Sequence, residues 1–309
     1  MITNETVEID RGKIVWTIVR FLSFSVDFAR VESWQSRNRA GSQKALENRG
    51  RPSFVSSYKV IPMDPQAETK SAFKLLLICS AITVLLWFVP FAGVITYPFR
   101  MFVTLIHESG HAVAALLTLG QVRRITLDWN GSGLTETVGG IGLFISSAGY
   151  IGATLFGAVL LLILRRAANA RLAALLTGCL ILLITVFLGG NFAAWVAGLL
   201  FGFGLLALGI FATRKFTHFF MSFLGVQSVL NALFDLKTVV YLSTYNPGVP
   251  TDAQNMARAT GNWLPAVVWS FGWAVLALTI LAGTLFLYYR SLKQTAPPIE
   301  VYKAAGAHA

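Results

Sequence analysis

Five consecutive residues carry the clearest chemical potential in this sequence, His107-Glu108-Ser109-Gly110-His111. Helix positions four apart lie on one face, so the imidazoles of His107 and His111 can bind one zinc ion together. Glu108 stands beside the first imidazole, where it can act as the general base toward water at the metal. The HExxH spacing therefore predicts a zinc-dependent hydrolytic site. The competing interpretation is a set of interfacial polar residues, but ionisable groups are costly within an apolar span.

A catalytic zinc ion usually has three protein ligands and one open position. The acidic candidates that follow the motif are Asp128, Glu136, Asp235 and Asp252. The first two lie in a polar stretch where solvated charge is expected, and Asp252 can cap a helix that starts at Asp252-Ala-Gln-Asn. Asp235 lies in an otherwise apolar run, where a carboxylate needs a metal or a cation such as Lys237. We therefore predict Asp235 as the third metal ligand.

The elements that must position these residues are transmembrane helices. The 309-residue chain has a mean hydropathy of +0.64 and only 13% charged residues, whereas soluble domains carry about 25%. From Ser71 to Tyr289 the sequence is almost continuously apolar, which predicts an all-α, polytopic bundle of about six to seven spans. The predicted spans are 73–96, 100–119, 140–164, 172–190, 192–213, 217–242 and 263–289.

Local signals refine this arrangement. Residues 121–140 alternate like strands around Asn130-Gly131, a tight-turn signal, and predict a short β-hairpin after the HExxH helix. Pro98 fits a turn between the first two spans. Small residues four apart, such as Gly149 and Ala153, predict close helix packing without any chemical role.

The domain organisation has three parts. Residues 1–70 form a basic, polar, partly disordered segment, residues 71–290 form the membrane domain, and residues 291–309 form a short flexible tail. Within the first part, 14–34 fits either a strand or an amphipathic surface helix, and 35–70 resembles a linker. A cleaved signal peptide is not expected.

The net charge of +11 favours membrane topology and anionic lipid headgroups over nucleic acid, because the basic residues cluster in the first 74 residues and at span ends. Cys79 and Cys179 lie inside apolar runs and predict packing, with no disulfide or thiolate metal site.

The charge pattern leaves the orientation of the chain in the membrane open. With seven spans, a cytoplasmic N-terminus would place the basic residues near 165–171, 214–215 and 290–293 outside, against the positive-inside rule.

Four segments resemble the site-2 protease family of intramembrane zinc metallopeptidases, in particular its compact bacterial and plant branch. They are HESGHAVAALLTLG, WNGSGLT, SAGYIG and NALFDLKT, within about 101–260. The resemblance implies one Zn²⁺ per chain bound by His107, His111 and Asp235, with Glu108 as base. It also implies membrane-protein substrates, regulated intramembrane proteolysis, a multi-pass location in the bacterial cytoplasmic membrane, and a cytoplasmic loop after the HExxH span.

The sequence departs from the family pattern around the third ligand. Many members have Asn-x-x-Pro leading to Leu-Asp-Gly, whereas here Phe234 precedes Asp235, Leu236 follows it and no proline is nearby. Asn231, one turn before Asp235, is predicted either to hydrogen-bond that carboxylate, to orient substrate, or simply to pack between helices.

The predicted mechanism is hydrolysis of a peptide bond within or beside the membrane, with the hairpin pairing to an extended substrate strand. Two rival classes remain. A di-iron desaturase or hydroxylase would need more histidines than the four present. A transporter or non-catalytic membrane scaffold related to the proteases could use Asp235 and Lys237 in an ion path.

Overall fold

The computed structural model describes residues 65–246 and 248–293. Within these ranges the chain forms eight α-helices and one two-stranded antiparallel sheet. The predicted all-α bundle with a hairpin after the HExxH helix is thereby confirmed. The helices are α1 (Pro65–Phe88), α2 (Ala92–Leu117), α3 (Gly142–Ile163), α4 (Ala170–Leu188), α5 (Phe192–Phe211), α6 (Arg214–Tyr245), α7 (Asp252–Ala259) and α8 (Ala266–Lys293); the strands are β1 (Gln121–Leu127) and β2 (Gly133–Val138).

Six of the described helices are long and apolar enough to cross a membrane, namely α1, α3, α4, α5, α6 and α8. Helices satisfy their own backbone hydrogen bonds, so continuous apolar sequence can form them without water. The HExxH helix α2 is not among the six. The expectations for residues 1–64, including the strand or surface helix at 14–34, lie outside the described residues. Helix α1 begins at Pro65, inside the stretch predicted as linker.

The prediction that Pro98 belongs to a turn is wrong, because Pro98 lies inside α2. The chain turns earlier, at residues 89–91, where Phe91 adopts a left-handed conformation with φ 64°. Pro98 is the seventh residue of α2, so it removes one N–H donor from the helical ladder, and the helix continues on both sides of it. As a result α1 ends at Phe88 instead of residue 96, and α2 starts at Ala92 instead of residue 100.

The hairpin pairs Gln121 with Val138 at its base and Leu127 with Gly133 near its tip. The backbone N–H of Asp128 donates to Ser132 O at 2.9 Å, so three residues form the turn. Gly131 has φ 91° and supplies the conformation that the turn needs. The turn is therefore one residue longer than the two-residue turn that Asn-Gly most often forms.

Side-chain and backbone bonds hold the hairpin against the helices. Asn191 caps α5 by accepting from Ala194 N, and its amide donates to the Leu127 carbonyl at 2.8 Å. Arg100 of α2 donates to the Asn130 carbonyl, and Tyr97 donates to the Trp129 carbonyl. The sheet is thus fixed to both α2 and the start of α5.

Candidate metal centre

The two histidines of the HExxH motif lie on one face of α2, as their spacing predicts. The Nε2 atoms of His107 and His111 approach to 3.0 Å. His111 Nδ1 lies 2.6 Å from the Ile145 carbonyl on α3 and donates to it, which orients the ring so that Nε2 faces His107. The His107 ring packs edge-on against Tyr150, with centroids 4.4 Å apart.

Asp252, on the first turn of α7, brings a carboxylate to the same point. Its Oδ2 lies 3.2 Å from His107 Nε2 and 3.4 Å from His111 Nε2. The interpretation of Asp252 as a helix cap is wrong, because Thr251 is the cap and accepts from Gln254 N at 3.2 Å. The Asp252 side chain is therefore free to face the histidines.

Charge complementarity supports this cluster. Desolvation raises the pKa of the Asp252 carboxyl, but the hydrogen bonds from His107 and His111 and their charge outweigh it and hold the pKa well below its usual range. The carboxyl group is consequently ionised, which is the state in which it can bind a cation.

The spacing of the three candidate ligand atoms is close to the spacing that a zinc ion requires. Zinc bonds to nitrogen and oxygen are about 2.0–2.2 Å, so two ligands in tetrahedral coordination lie roughly 3.3–3.6 Å apart. The observed separations are 3.0, 3.2 and 3.4 Å, so one lies within this range and the other two are a few tenths of an ångström shorter. Ligand atoms of His107, His111 and Asp252 all lie within 4.8 Å of one another. Two imidazoles and one carboxylate are also a ligand set that catalytic zinc uses.

Asp235 lies elsewhere in the same cavity. It lines the wall on α6, but it is not part of the group of His107, His111 and Asp252. The predicted ligand set and the observed cluster therefore agree at the two histidines and differ at the third position. Asn231 does not turn toward Asp235 either; its amide donates to Gln227 Oε1 at 2.8 Å.

The hairpin holds Glu108 beside the cluster. The Thr135 hydroxyl of β2 lies 2.6 Å from Glu108 Oε2 and 2.9 Å from the Glu108 carbonyl oxygen. Gly133 leaves room for this carboxylate, since a Cβ at that position would lie 2.7 Å from Glu108 Oε1. Glu108 is buried, with 5% of its surface exposed, so its orientation depends on these neighbours.

A glycine on α3 lets that helix approach the two histidines. A Cβ at Gly149 would collide with His107 Nε2 and lie 2.6 Å from His111 Nε2. The sequence predicts only a helix-packing role for Gly149. The spacing of small residues does not distinguish a glycine that packs two helices from one that makes room for the histidine side chains. The sequence also does not predict that Tyr150 contacts His107 or that Thr135 bonds to Glu108, because no local pattern identifies these two residues.

The cluster opens into a cavity of about 640 Å³. α2, β2, α3, α6 and α7 contribute to its walls, and the turn of the hairpin closes one side. A volume of this size accommodates a short peptide segment or a ligand of similar bulk. The arrangement combines a cation site, a neighbouring carboxylate and space for an organic substrate, as metal-assisted hydrolysis requires.

The family model described as Peptidase M50B-like matches residues 76–284, which include both histidines, Asp235 and Asp252. No curated protein and no solved structure matches the chain.

Proposed function

Because the chain belongs to the Peptidase M50B-like family, a site-2 protease family, we propose that it is a zinc metallopeptidase that cleaves membrane proteins within or beside the bilayer. Its apolar helices and its family make it a multi-pass membrane protein. We assign it to a bacterial cytoplasmic membrane and to regulated intramembrane proteolysis. One observation carries the proposal: His107, His111 and Asp252 converge next to Glu108 in one cavity.

We assign the metal ligands as His107, His111 and Asp252. Zinc bound there would supply a Lewis acid that polarises the scissile carbonyl and acidifies water. Asp252 Oδ2 lies 3.2 and 3.4 Å from the two histidine nitrogens, close to the separations that zinc requires, whereas Asp235 is not part of this group. Asp235 would instead line the wall against which the substrate lies.

Glu108 is the proposed general base. Thr135 bonds to Glu108 Oε2, which leaves Oε1 to take the proton from the attacking water. Glu108 then delivers this proton to the leaving amine, so that the amide bond breaks with balanced charge. The buried position of Glu108 limits exchange of that proton with bulk solvent.

Glu108→Gln provides the test. Purified wild type and variant are each incubated with a detergent-solubilised pool of single-span membrane proteins, and new peptide termini are identified by mass spectrometry. We expect termini with the wild type and at least a hundredfold fewer with Glu108→Gln, because general-base catalysis contributes about 10²–10⁴-fold. Zinc content should be equal in both. Equal zinc with no cleavage by either protein would support a non-catalytic relative, and equal cleavage would remove Glu108 from the mechanism.

A further inference from the structure

Two hydroxyl groups in the wall of the cavity have no hydrogen-bond partner among the described residues. Ser146 and Tyr150 lie one turn apart on α3, both line the cavity, and only 7% and 8% of their surfaces are exposed. Neither hydroxyl group bonds to another residue that the structure describes. Buried hydroxyl groups normally have a partner, so these two groups are available to a ligand in the cavity.

Both hydroxyl groups are reached from the cavity and are not enclosed in the protein interior. Among the described side chains, the polar atoms that are sealed from solvent without a partner are Ser243 Oγ and Trp269 Nε1. The oxygens of Ser146 and Tyr150 do not belong to this group. They therefore face the open space that their residues line.

The cavity has few other groups that could donate to an anion. Thr135 bonds to Glu108, Thr104 donates to the Gly131 carbonyl at 2.9 Å, and Thr238 donates to a carbonyl of its own helix. Among the residues that the structure describes, no lysine or arginine lines the cavity. A negative charge that develops on a substrate would therefore need a free hydroxyl group as its donor from the protein.

Tyr150 lies at the level of the histidine Nε2 atoms, whereas Ser146 does not. Gly149, directly before Tyr150, adjoins both Nε2 atoms, and a Cβ there would lie 2.6 Å from His111 Nε2. Ser146 follows Ile145, whose carbonyl faces Nδ1 on the other side of the His111 ring. Of the two free hydroxyl groups, the one on Tyr150 belongs to the part of α3 that faces the cluster.

Packing on two sides fixes the Tyr150 ring. One side meets the His107 ring edge-on, with centroids 4.4 Å apart, and Trp273 of α8 lies 5.9 Å away. The Trp273 indole N–H donates to Ser147 Oγ at 3.1 Å, which holds that ring in turn. Buried side chains of α6 and α7 complete the surroundings of Tyr150. A donor that is fixed in advance costs no reorganisation when charge develops.

The charges near the Tyr150 hydroxyl group give such a donor a purpose. The carboxylates of Asp252, Asp235 and Glu108 are close enough to act on it electrostatically, but none of them accepts its hydrogen. Carboxylates oppose the development of further negative charge nearby. When water adds to a peptide carbonyl, the C=O electron pair moves onto oxygen, and a fixed O–H group directed at that oxygen lowers the energy of this state.

We propose that Tyr150 is a further catalytic residue, whose hydroxyl group donates a hydrogen bond to the carbonyl oxygen of the scissile peptide bond as that oxygen becomes negative. This inference rests on the peptidase function proposed above. Glu108 takes one proton as the water oxygen bonds to carbon. The electron pair returns from the carbonyl oxygen when the C–N bond breaks and Glu108 protonates the amine. Tyr150 keeps its own proton throughout.

Binding of a tetrahedral anion tests the donor without any turnover. The probe is an alanine tripeptide analogue in which a phosphinate replaces one peptide bond, and calorimetry with the purified, zinc-loaded full chain gives its Kd. We expect Tyr150→Phe to bind it at least tenfold more weakly, because a hydrogen bond to a charged acceptor is lost. Zinc per chain should not change, since phenylalanine keeps the edge-on contact with His107.

Tyr288→Phe is the matched control. It also removes a buried tyrosine hydroxyl group, but this group donates to the Leu161 carbonyl and its residue packs in a different cluster from Tyr150. We expect wild-type affinity for the phosphinate in Tyr288→Phe and in Ser146→Ala. A wild type that does not bind the phosphinate, or equal affinity in Tyr150→Phe, would overturn the proposal.

Two further results would also overturn it. Zinc content that falls in Tyr150→Phe would show that the hydroxyl group acts through the metal ligands. A loss of phosphinate affinity in Ser146→Ala with none in Tyr150→Phe would assign the donor to the other hydroxyl group.

Cleavage rates separate this inference from the peptidase function. For a substrate that wild type cleaves, we expect Tyr150→Phe to lower kcat about a hundredfold with little change in KM, because the bond forms only as charge develops. An unchanged kcat contradicts the proposal. If wild type cleaves nothing and Tyr150→Phe still weakens phosphinate binding, the donor to a charged oxygen is supported and the peptidase function is not.

Discussion

At the scale of single residues, the site depends on how closely the backbone of α3 approaches two imidazoles. Gly149 allows this approach because any Cβ there would overlap His107 Nε2 and His111 Nε2. A protein interior is close-packed, so such an overlap is relieved only by moving a side chain or a helix. The histidines are the more mobile partners, and their displacement would separate the ligand atoms.

Gly149→Ala is therefore predicted to abolish most zinc binding while the bundle remains folded. Zinc per chain, measured by elemental analysis of detergent-purified protein, should fall from about one to well below one half. Gly152→Ala is the matched control on the same helix, because its Cβ would lie 3.4 Å from Gly110 Cα, an ordinary contact. If both variants kept full zinc, the close approach at Gly149 would have no role in the site.

Thr135 tests how Glu108 is oriented. A hydrogen bond to a charged group contributes about 1.5–3 kcal/mol, which corresponds to roughly a 10- to 100-fold change in rate. We predict that Thr135→Val, which removes the donor to Glu108 Oε2, lowers the cleavage rate by that factor. Zinc content should not change, since Thr135 is not a ligand.

Thr135→Ser is the control for the hydroxyl itself and should retain most of the activity. A loss in Thr135→Ser as large as that in Thr135→Val would show that the methyl group and packing matter, and would remove the hydrogen bond from the account.

At the scale of elements, the hairpin works as a support for Glu108, and its own position depends on Asn191. This side chain accepts from Ala194 N as the cap of α5 and bonds to both backbone groups of Leu127. The Gly190 N–H also donates to the Ile125 carbonyl at 2.8 Å. The α4–α5 corner therefore anchors β1, and β2 with Thr135 follows from the register.

Asn191→Ala is predicted to lower both stability and cleavage. Loss of a cap costs about 1 kcal/mol, and the bonds to Leu127 would be lost as well. Thr213→Ala is a matched control, because Thr213 caps α6 by accepting from Phe216 N and does not bond to the hairpin residues that the structure describes. Thermal unfolding should show a lower midpoint in both variants, whereas only Asn191→Ala should reduce the cleavage rate. Equal activity in the two variants would argue against the anchor.

At the scale of the whole molecule, local patterns predicted the helices, the hairpin and the pairing of His107 with His111, because these depend on residues close in sequence. The place of Asp252 beside the histidines depends on a contact over 145 positions between α2 and α7. The hydrophobic periodicity of the sequence gives no signal for a contact between residues so far apart. As candidates for the third ligand, Asp235 was favoured because it lies in an apolar run, and Asp252 was disfavoured because it could cap a helix. Thr251, directly before Asp252, can cap that helix itself, and this was the signal in the sequence that Asp252 is not needed as the cap.

Tertiary packing also explains why the turn after α1 lies at residues 89–91 and not at Pro98, where the sequence predicts it. Pro98 is a strong local breaker, but α2 contains it near its start, and the left-handed Phe91 makes the turn instead. Packing of the aromatic side chains on this helix supports the arrangement: Phe99 contacts Phe223 edge-on at 5.0 Å, and Phe102 lies 5.2 Å from Phe201. Tertiary contacts of this kind override a local preference.

The central claim is that His107, His111 and Asp252 form one zinc site, and zinc stoichiometry tests it most directly. Detergent-purified wild type, Asp252→Asn and Asp235→Asn are compared by elemental analysis after equilibration with limiting zinc. The account predicts about one zinc per chain in wild type and Asp235→Asn, and at least a tenfold weaker affinity in Asp252→Asn. Zinc that is lost in Asp235→Asn and retained in Asp252→Asn, or absent from wild type, would contradict it.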